Sequence, residues 1–361
     1  MATLLEYKCP NCGGALSFDS DTQKMSCPYC DSQLEVAALR ELDEVLKEQQ
    51  EDRMEWETKP QTQWQEGEQE SLTGYICQSC GGEIVCDENT AATSCPYCDN
   101  AVVMSGRLSG SLRPDLVIPF RHDKEAAKQA LSRHMSKKPL LPKVFKDENH
   151  IREVKGIYVP FWLFDTQANG DARYRATRVH TWSDSNYYYT RTQYFSVRRS
   201  GRLDFAGVPA DGSTKMADAL MESIEPFDLT QAVDFQTAYL AGYFADRYDV
   251  SAEDSMPRAN NRIKASVQEA LLQTVVGYTG VTPVNSTVKL GNSRVRYALY
   301  PVWVLHTKYR NKDYLFAMNG QTGKLVGNLP IDWGRFFAWW GGIAGAVGLV
   351  AWIATKLAEI F

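Results

Sequence analysis

Beginning at Leu34 the apolar positions fall for a stretch at helical period. Leu34, Val36, Leu39, Leu42, Val45 and Leu46 recur at near-helical spacing among charged residues, which predicts an amphipathic helix reaching about Glu57. A Gln/Glu-rich stretch at 59–71 follows and reads as a solvated linker; Trp56 and Trp64 are docking anchors or pack on neighbouring structure. Further on the period shifts between strand and helix. A short strand is expected at 116–120, then a helix capped by Asp123 and running to about Met135, stopped by Lys137, Lys138 and Pro139. Buried or alternating strands are expected at 156–166, 173–182 and 187–198, a short helix after Ser213, and a strand at 237–248. Residues 252–276 carry a long helical pattern with Ile263, Val267, Leu271 and Val275 on one face. A meander closes the body: 294–309, a turn at Asn311 and Lys312, 314–319, and 324–326 after Gly320 and Gly323.

Two further patterns shape the picture. Residues 159–166 resemble 300–307, with Pro, Trp and Thr coinciding (Pro160, Trp162, Thr166; Pro301, Trp303, Thr307), which suggests a duplicated strand–helix–strand unit. Both tryptophans read more naturally as core than as a ligand platform. At the far end, 336–355 is a run of 20 residues without a charge, bounded by Arg335 and Lys356. At about 1.5 Å per residue it reaches about 30 Å, a bilayer's hydrocarbon thickness. Trp339 and Trp340 lie near one end and Trp352 near the other, as interfacial aromatics do. The competing reading, a buried core helix, fits poorly because the run is apolar on every side. The expected arrangement is a cytoplasmic-membrane protein with a single-pass tail anchor at 334–356, its N-terminal domains in the cytoplasm. Gly341 and Gly345 form a G-x-x-x-G through which two spans can pair, so an oligomer through them is also expected.

Charge narrows the functional classes. The net charge is −5, but 1–34 carries two basic against four acidic groups, 35–70 four against twelve, and 71–105 none against four. Those residues total −14, so 106–361 carries +9. A nucleic-acid-binding head needs Lys and Arg against phosphate, and this one is acidic. Lys124, Lys128, Arg133, Lys137, Lys138, Lys143 and Lys146 make 121–155 locally cationic. That stretch is an ordinary solvated face by default, or a surface for anionic lipid or for the acidic linker.

The candidate chemistry is in the cysteines. Cys9, Cys12, Cys27 and Cys30, then Cys77, Cys80, Cys95 and Cys98, each read C-x2-C-x14-C-x2-C, the second set offset from the first by 68 residues. Tyr7, Gly13, Gly14, Ser26, Pro28, Tyr29 and Asp31 recur as Tyr75, Gly81, Gly82, Ser94, Pro96, Tyr97 and Asp99 at the same offset. Four thiolates at this spacing predict a zinc ribbon, each holding one structural Zn²⁺ with no open position for an activated water. Disulfide-linked loops or a redox C-x-x-C are the alternatives, and neither needs four pairs in register. Cys86, aligned with Phe18, is expected as a small buried hydrophobe rather than a ligand. Thiols arranged for metal, with no secretory leader at the start, imply a reducing compartment.

Catalytic signatures for phosphate loops, dinucleotide folds, serine hydrolases and zinc proteases are absent, and His122, His134, His150, His180 and His306 are scattered without metal-type pairing. The expectation is a non-enzyme, although an enzyme or transporter subunit without a sequence signature stays open. The predicted fold class is multidomain: ribbon 1 at 1–34, an acidic helix and linker at 35–72, ribbon 2 at 73–105, an α+β body with an internal duplication at 106–331, then the anchor.

The order of these parts, together with Tyr300-Pro301-Val302-Trp303 and the later 317–327 stretch before a terminal span, resembles bacterial membrane proteins with tandem TFIIB-type zinc ribbons, the YdjG type. Members are often labelled primosomal helicase-like from the ribbon alone; this chain has no nucleotide-binding motif. The resemblance implies an adaptor at the inner face of the membrane in an envelope-stress, phage-shock-like system. Its implied partners are an SPFH/flotillin-like protein and a phage-shock-protein-A-like remodeller. The alternative function is a zinc-ribbon nucleic-acid-binding protein of replication or transcription.

Overall fold

The computed structural model describes residues 9, 14–39, 51–57, 60, 62–87, 90, 92–107, 112–136, 138–142, 145, 154–310, 312–327 and 329–358, the side chains of 106, 107, 308, 313 and 355–358 excepted. In chain order the elements are β1 Ser17–Asp19, β2 Lys24–Ser26, β3 Gln33–Leu34, β4 Leu72–Cys77, β5 Glu83–Asp87, β6 Val102–Arg107, β7 Leu116–Val117, α1 Lys124–Ser136, β8 Lys155–Ser183 and β9 Tyr188–Asp211. They continue with α2 Asp218–Ser223, β10 Val233–Asp234, β11 Phe244–Asp246, α3 Ala252–Gln273, β12 Gly280–Tyr309, β13 Lys312–Asn319, β14 Leu325–Gly327 and α4 Trp333–Ala358. Among the described residues β1-β2-β3 form one small sheet, and the other strands form a larger one ordered β10-β7-β12-β8-β11-β5-β4-β6, with β9 beside β8 and β13-β14 beside β12.

The chain separates into two compact units. The larger comprises 57–165, 206–259 and 294–361. Its core joins the second cysteine module to the body: Tyr75, Ile84 and Cys86 are buried in one cluster with Ile118, Ile157, Phe161, Tyr300 and Val302. The connection is also through the backbone, because β11 pairs antiparallel with β5 and parallel with β8. Ala127, Leu131 and Met135 of α1, spaced for one helix face, bury against Trp303, Leu305 and Phe316. Trp162 and Trp303 are buried, and each indole N–H donates to a backbone carbonyl, of Val250 and His122, both at 2.9 Å. The two similar segments therefore lie in β8 and β12, strands adjacent in the sheet, as core.

The other unit comprises 1–56, 166–205 and 260–293. Here β8 alternates buried and accessible positions, with Ala168, Gly170, Ala172 and Ala176 on the buried side. Gly170 is required by α3: a Cβ there would lie 2.4 Å from Val267 Cγ1 and 3.0 Å from Leu271 Cδ1. The predicted one-faced helix is thus present, seated on a strand of small residues.

Several expectations need correction. The breaks expected after Thr166 and after Arg198 do not occur; β8 and β9 run through them, and in β8 buried small residues carry the strand on without a hydrophobic signal. The strand expected at 237–248 is a 3-10 turn at Thr237–Leu240 followed by the short β11. Of the first expected helix, 36–39 are helical, 40–50 lie outside the described residues, and 51–56 are not helical. There Arg53 bridges Lys289 in parallel, while the Asp52 carboxylate accepts from Val288 N–H (2.9 Å) and from Lys264. The acidic linker is not freely solvated either. Glu68 forms a two-pronged ion pair with Arg113 (2.8 and 2.9 Å), which holds its carboxyl below the usual range, and Trp64 packs edge-on against Phe235.

Candidate metal centres

The second cysteine group is described completely. Cys77 and Cys80 lie at the end of β4 and the turn after it; Cys95 and Cys98 lie on the turn that precedes β6. Each turn is closed by the same pair of backbone bonds. Cys77 N–H donates to Gly82 C=O (2.9 Å) and Gly81 N–H to Cys77 C=O (2.9 Å); Cys95 N–H donates to Asn100 C=O (2.8 Å) and Asp99 N–H to Cys95 C=O (3.0 Å). The fifth residue of each turn, the one after its second cysteine, takes a left-handed backbone, Gly81 at φ +67° and Asp99 at φ +59°. Glycine suits that position for lack of a Cβ, and aspartate is among the few others that tolerate it. In the first group Cys27 and Asp31 repeat the second turn, with Asp31 at φ +53°. The recurrence of Asp31 and Asp99 in the sequence is thereby explained. Gly14 is required as well, since a Cβ there would meet the Tyr29 ring at 2.5 Å, while at Gly82 the same approach to Tyr97 is 3.4 Å, an ordinary contact.

The four sulfurs Cys77, Cys80, Cys95 and Cys98 lie within 4.8 Å of one another, as do Cys9, Cys27 and Cys30; Cys12 is outside the described residues. A tetrahedron with metal–sulfur arms of about 2.3 Å has edges of about 3.8 Å. Observed separations are 3.5 Å for Cys77–Cys98, 3.7 Å for Cys80–Cys95 and 3.6 Å for Cys9–Cys30. A disulfide needs about 2.05 Å. Both groups therefore fit a metal ion, and the described cysteines are free thiols. Cys86 is buried within β5, belongs to neither group, and has its thiol pushed up to about 12 by burial and then by Asp87. His122, His134, His180 and His306 join no metal-ligating group among the described residues.

The surroundings act differently on the thiols of the second group. Burial raises the Cys95 and Cys80 thiols. Burial opposes ionisation at Cys98 too, yet the backbone N–H and side-chain amide of Asn100 (Nδ2 to Sγ 3.4 Å) bring that thiol down to about 7. Two lysines of the body hold the turns from outside, a signal that spacing rules do not contain. Lys155 Nζ donates to Ser94 Oγ (2.6 Å), Cys95 C=O (3.2 Å) and Asp99 Oδ1 (2.7 Å), and Lys215 Nζ donates to Cys80 C=O (3.3 Å). Each lysine thus fixes the backbone of a cysteine of the group.

The first module repeats this sequence with different surroundings. β1 pairs with β2, whereas β5, its counterpart, pairs with β11 of the body. Tyr29 is 75% exposed and Tyr97 7%; Phe18 is 54% exposed and Cys86, at the same place, 0%.

Over 357 residues, 99% of this chain and 98% of the relative, the sequence is 35% identical to the uncharacterized protein YdjG of Bacillus subtilis (strain 168). The chain belongs to the YdjG family. No protein-family model matches it, and no solved structure does. For this YdjG relative, then, the chemistry is read from its own side chains, and the last of these is α4. Of α4, 333–354 is long and apolar enough to cross a membrane: 22 residues reach about 33 Å against a hydrocarbon core of about 30 Å. None of that stretch is buried. Its start is tied to the loop before β8: Asp332 N–H donates to Leu140 C=O (2.8 Å) and Arg335 to Leu141 C=O (2.9 Å).

Proposed function

We propose that this protein is a membrane-tethered zinc-ribbon adaptor. In this reading α4 crosses the bacterial membrane once, the ribbons and body stay in the cytoplasm, and the first ribbon recruits a protein partner to the inner face. Zn²⁺ suits a four-thiolate tetrahedral set with this spacing, and a set closed by sulfur acts structurally. Cys9, Cys12, Cys27 and Cys30 would hold one ion and Cys77, Cys80, Cys95 and Cys98 the other.

The observation that carries the reading is the contrast between the two copies. The second ribbon is consumed by its own body, while the first leaves Phe18 and Tyr29 exposed at the positions the second buries. Exposed large apolar groups on a metal-ordered module are what a protein-docking surface offers. The family resemblance suggests an SPFH/flotillin-like or phage-shock-protein-A-like partner in an envelope-stress system.

The test is to co-express the full chain with such a partner and crosslink them in membranes. Phe18→Ser with Tyr29→Ser should abolish the crosslink while leaving metal content and membrane residence unchanged. Undiminished crosslinking by the double variant contradicts the reading.

A further inference from the structure

The connection between β8 and β9 is a second exposed surface, with chemistry unlike that of the ribbons. The turn is preformed. Asp184 Oδ1 accepts from the N–H groups of Asn186 and Tyr187, both at 2.8 Å; Asp184 N–H donates to Tyr187 C=O (3.0 Å), and the Tyr189 hydroxyl donates to Asp184 Oδ2 (2.9 Å). Trp182 and Tyr189 stack across the strands at 5.5 Å and 12°, and Tyr187 meets Tyr189 edge-on at 6.3 Å. Even so, Tyr188 is 89% exposed, Tyr187 67% and Trp182 45%. A rigid turn that holds several rings in water without covering them is a surface built for contact.

The flanking strands supply a matching charge. Residues 170–205 carry seven arginines and no lysine against three aspartates, a net +4. Arg178 and Arg191 are exposed within about 20 Å of the turn along β8 and β9, whereas Arg198, held by Asp171 at 2.7 Å, and Arg202 lie farther back. Arg178 lies over the Phe195 and Tyr278 rings at 5.4 and 5.7 Å. Amphipathic rings at the apex with cations behind them match the layering of a bilayer surface, where Trp and Tyr settle at headgroup depth and Arg meets lipid phosphate. Single-stranded nucleic acid asks for something else, open ring faces spaced along a groove. In this hairpin one face of Trp182 is closed by Tyr189, and the most exposed rings end in hydroxyls.

We propose that the β8–β9 hairpin seats Trp182, Tyr187 and Tyr188 in the interfacial layer of an anionic bilayer, with Arg178 and Arg191 on lipid phosphate. The inference rests on the reading that α4 places this chain at a membrane, and it adds a second, peripheral contact made by a different part of the molecule.

The test uses the full chain in nanodiscs of phosphatidylglycerol with phosphatidylcholine, in discs of phosphatidylcholine alone, and in detergent. Hydroxyl-radical labelling is read residue by residue. Labelling of Trp182, Tyr187 and Tyr188 should fall about threefold or more in the anionic discs relative to detergent. Tyr29 should be labelled equally throughout, and Arg178→Glu with Arg191→Glu should restore the tip labelling. Equal labelling of the tip in anionic discs and detergent overturns the proposal, as does equal protection in both kinds of disc. Protection of the tip by an added oligonucleotide, lost steeply with salt, overturns it in favour of a nucleic acid. Failure of the chain to enter discs at all refutes the α4 reading instead, which is scored separately by co-migration of protein and disc.

Discussion

Asp211 is buried at the end of β9, with Oδ1 accepting from Ser213 N–H at 3.1 Å and Oδ2 meeting no donor among the described residues. Burial, with smaller contributions from Asp218 and Asp246, pushes its carboxyl up to about 8, well above the unfolded value of about 3.9. The folded chain therefore keeps a proton that the unfolded chain releases. The stability from that proton is complete below pH about 4 and is lost as pH rises towards about 8. Asp211→Asn keeps an acceptor for Ser213 and removes the titration. Its melting temperature should exceed that of the wild type most at pH about 8 and vary less between acid and neutral pH. Parallel melting curves for the two proteins across that range would contradict the assignment.

At the scale of elements, Lys155 connects β8 to the turn that carries Cys95. Lys155→Met removes three hydrogen bonds around a ligand residue without touching a sulfur. Outer contacts of this kind typically alter metal affinity by about tenfold or more. Chelator-driven release from the second ribbon should accelerate by a similar factor, with the first ribbon unaffected. A release rate equal to wild type would show that the lysine is only a surface ion-pair partner. This scale also shows what the sequence disclosed. The cysteine groups, α3 and the apolar α4 were legible because each follows a strict local spacing. Lys155, Lys215 and β11 were not, since they come from residues 57 to 148 positions beyond Cys98 and are brought in by the fold of the body. The merging of two expected strands into β8 was hidden for another reason: Ala168, Gly170, Ala172 and Ala176 satisfy a packed helix by being small, which a hydrophobicity pattern does not register. Asp52 escaped as well, because an acidic residue in a helical pattern gives no sign that it caps a strand backbone far along the chain.

For the whole molecule, the two copies of one motif hold different amounts of the fold. Cys77 and Cys95 are buried in the core cluster of the larger unit, beside Ile118, Ile157 and Val302, whereas the first ribbon has its own three-stranded sheet. Cys77→Ser should therefore lower the main unfolding transition seen by calorimetry, because it costs both a metal site and core packing. Cys27→Ser should abolish one metal equivalent and leave that transition nearly in place. Equal destabilisation by the two substitutions would mean that the ribbons are energetically equivalent, contrary to their surroundings. Binding of metal by these thiols must also release protons, since burial raises Cys80 and Cys95 above the ordinary thiol value.

The reading as an adaptor joins a metal-ordered docking surface to a single apolar helix, and the two are separable by truncation. The most direct measurement is quantitative mass spectrometry of membrane and soluble fractions from cells making either the full chain or a chain ending before Trp333. The expected result is that the truncated protein moves to the soluble fraction and carries with it a protein that is membrane-bound when the full chain is present. If the truncated protein stays in the membrane pellet, or leaves it while every other protein keeps its place, tethering of a partner by this chain is contradicted.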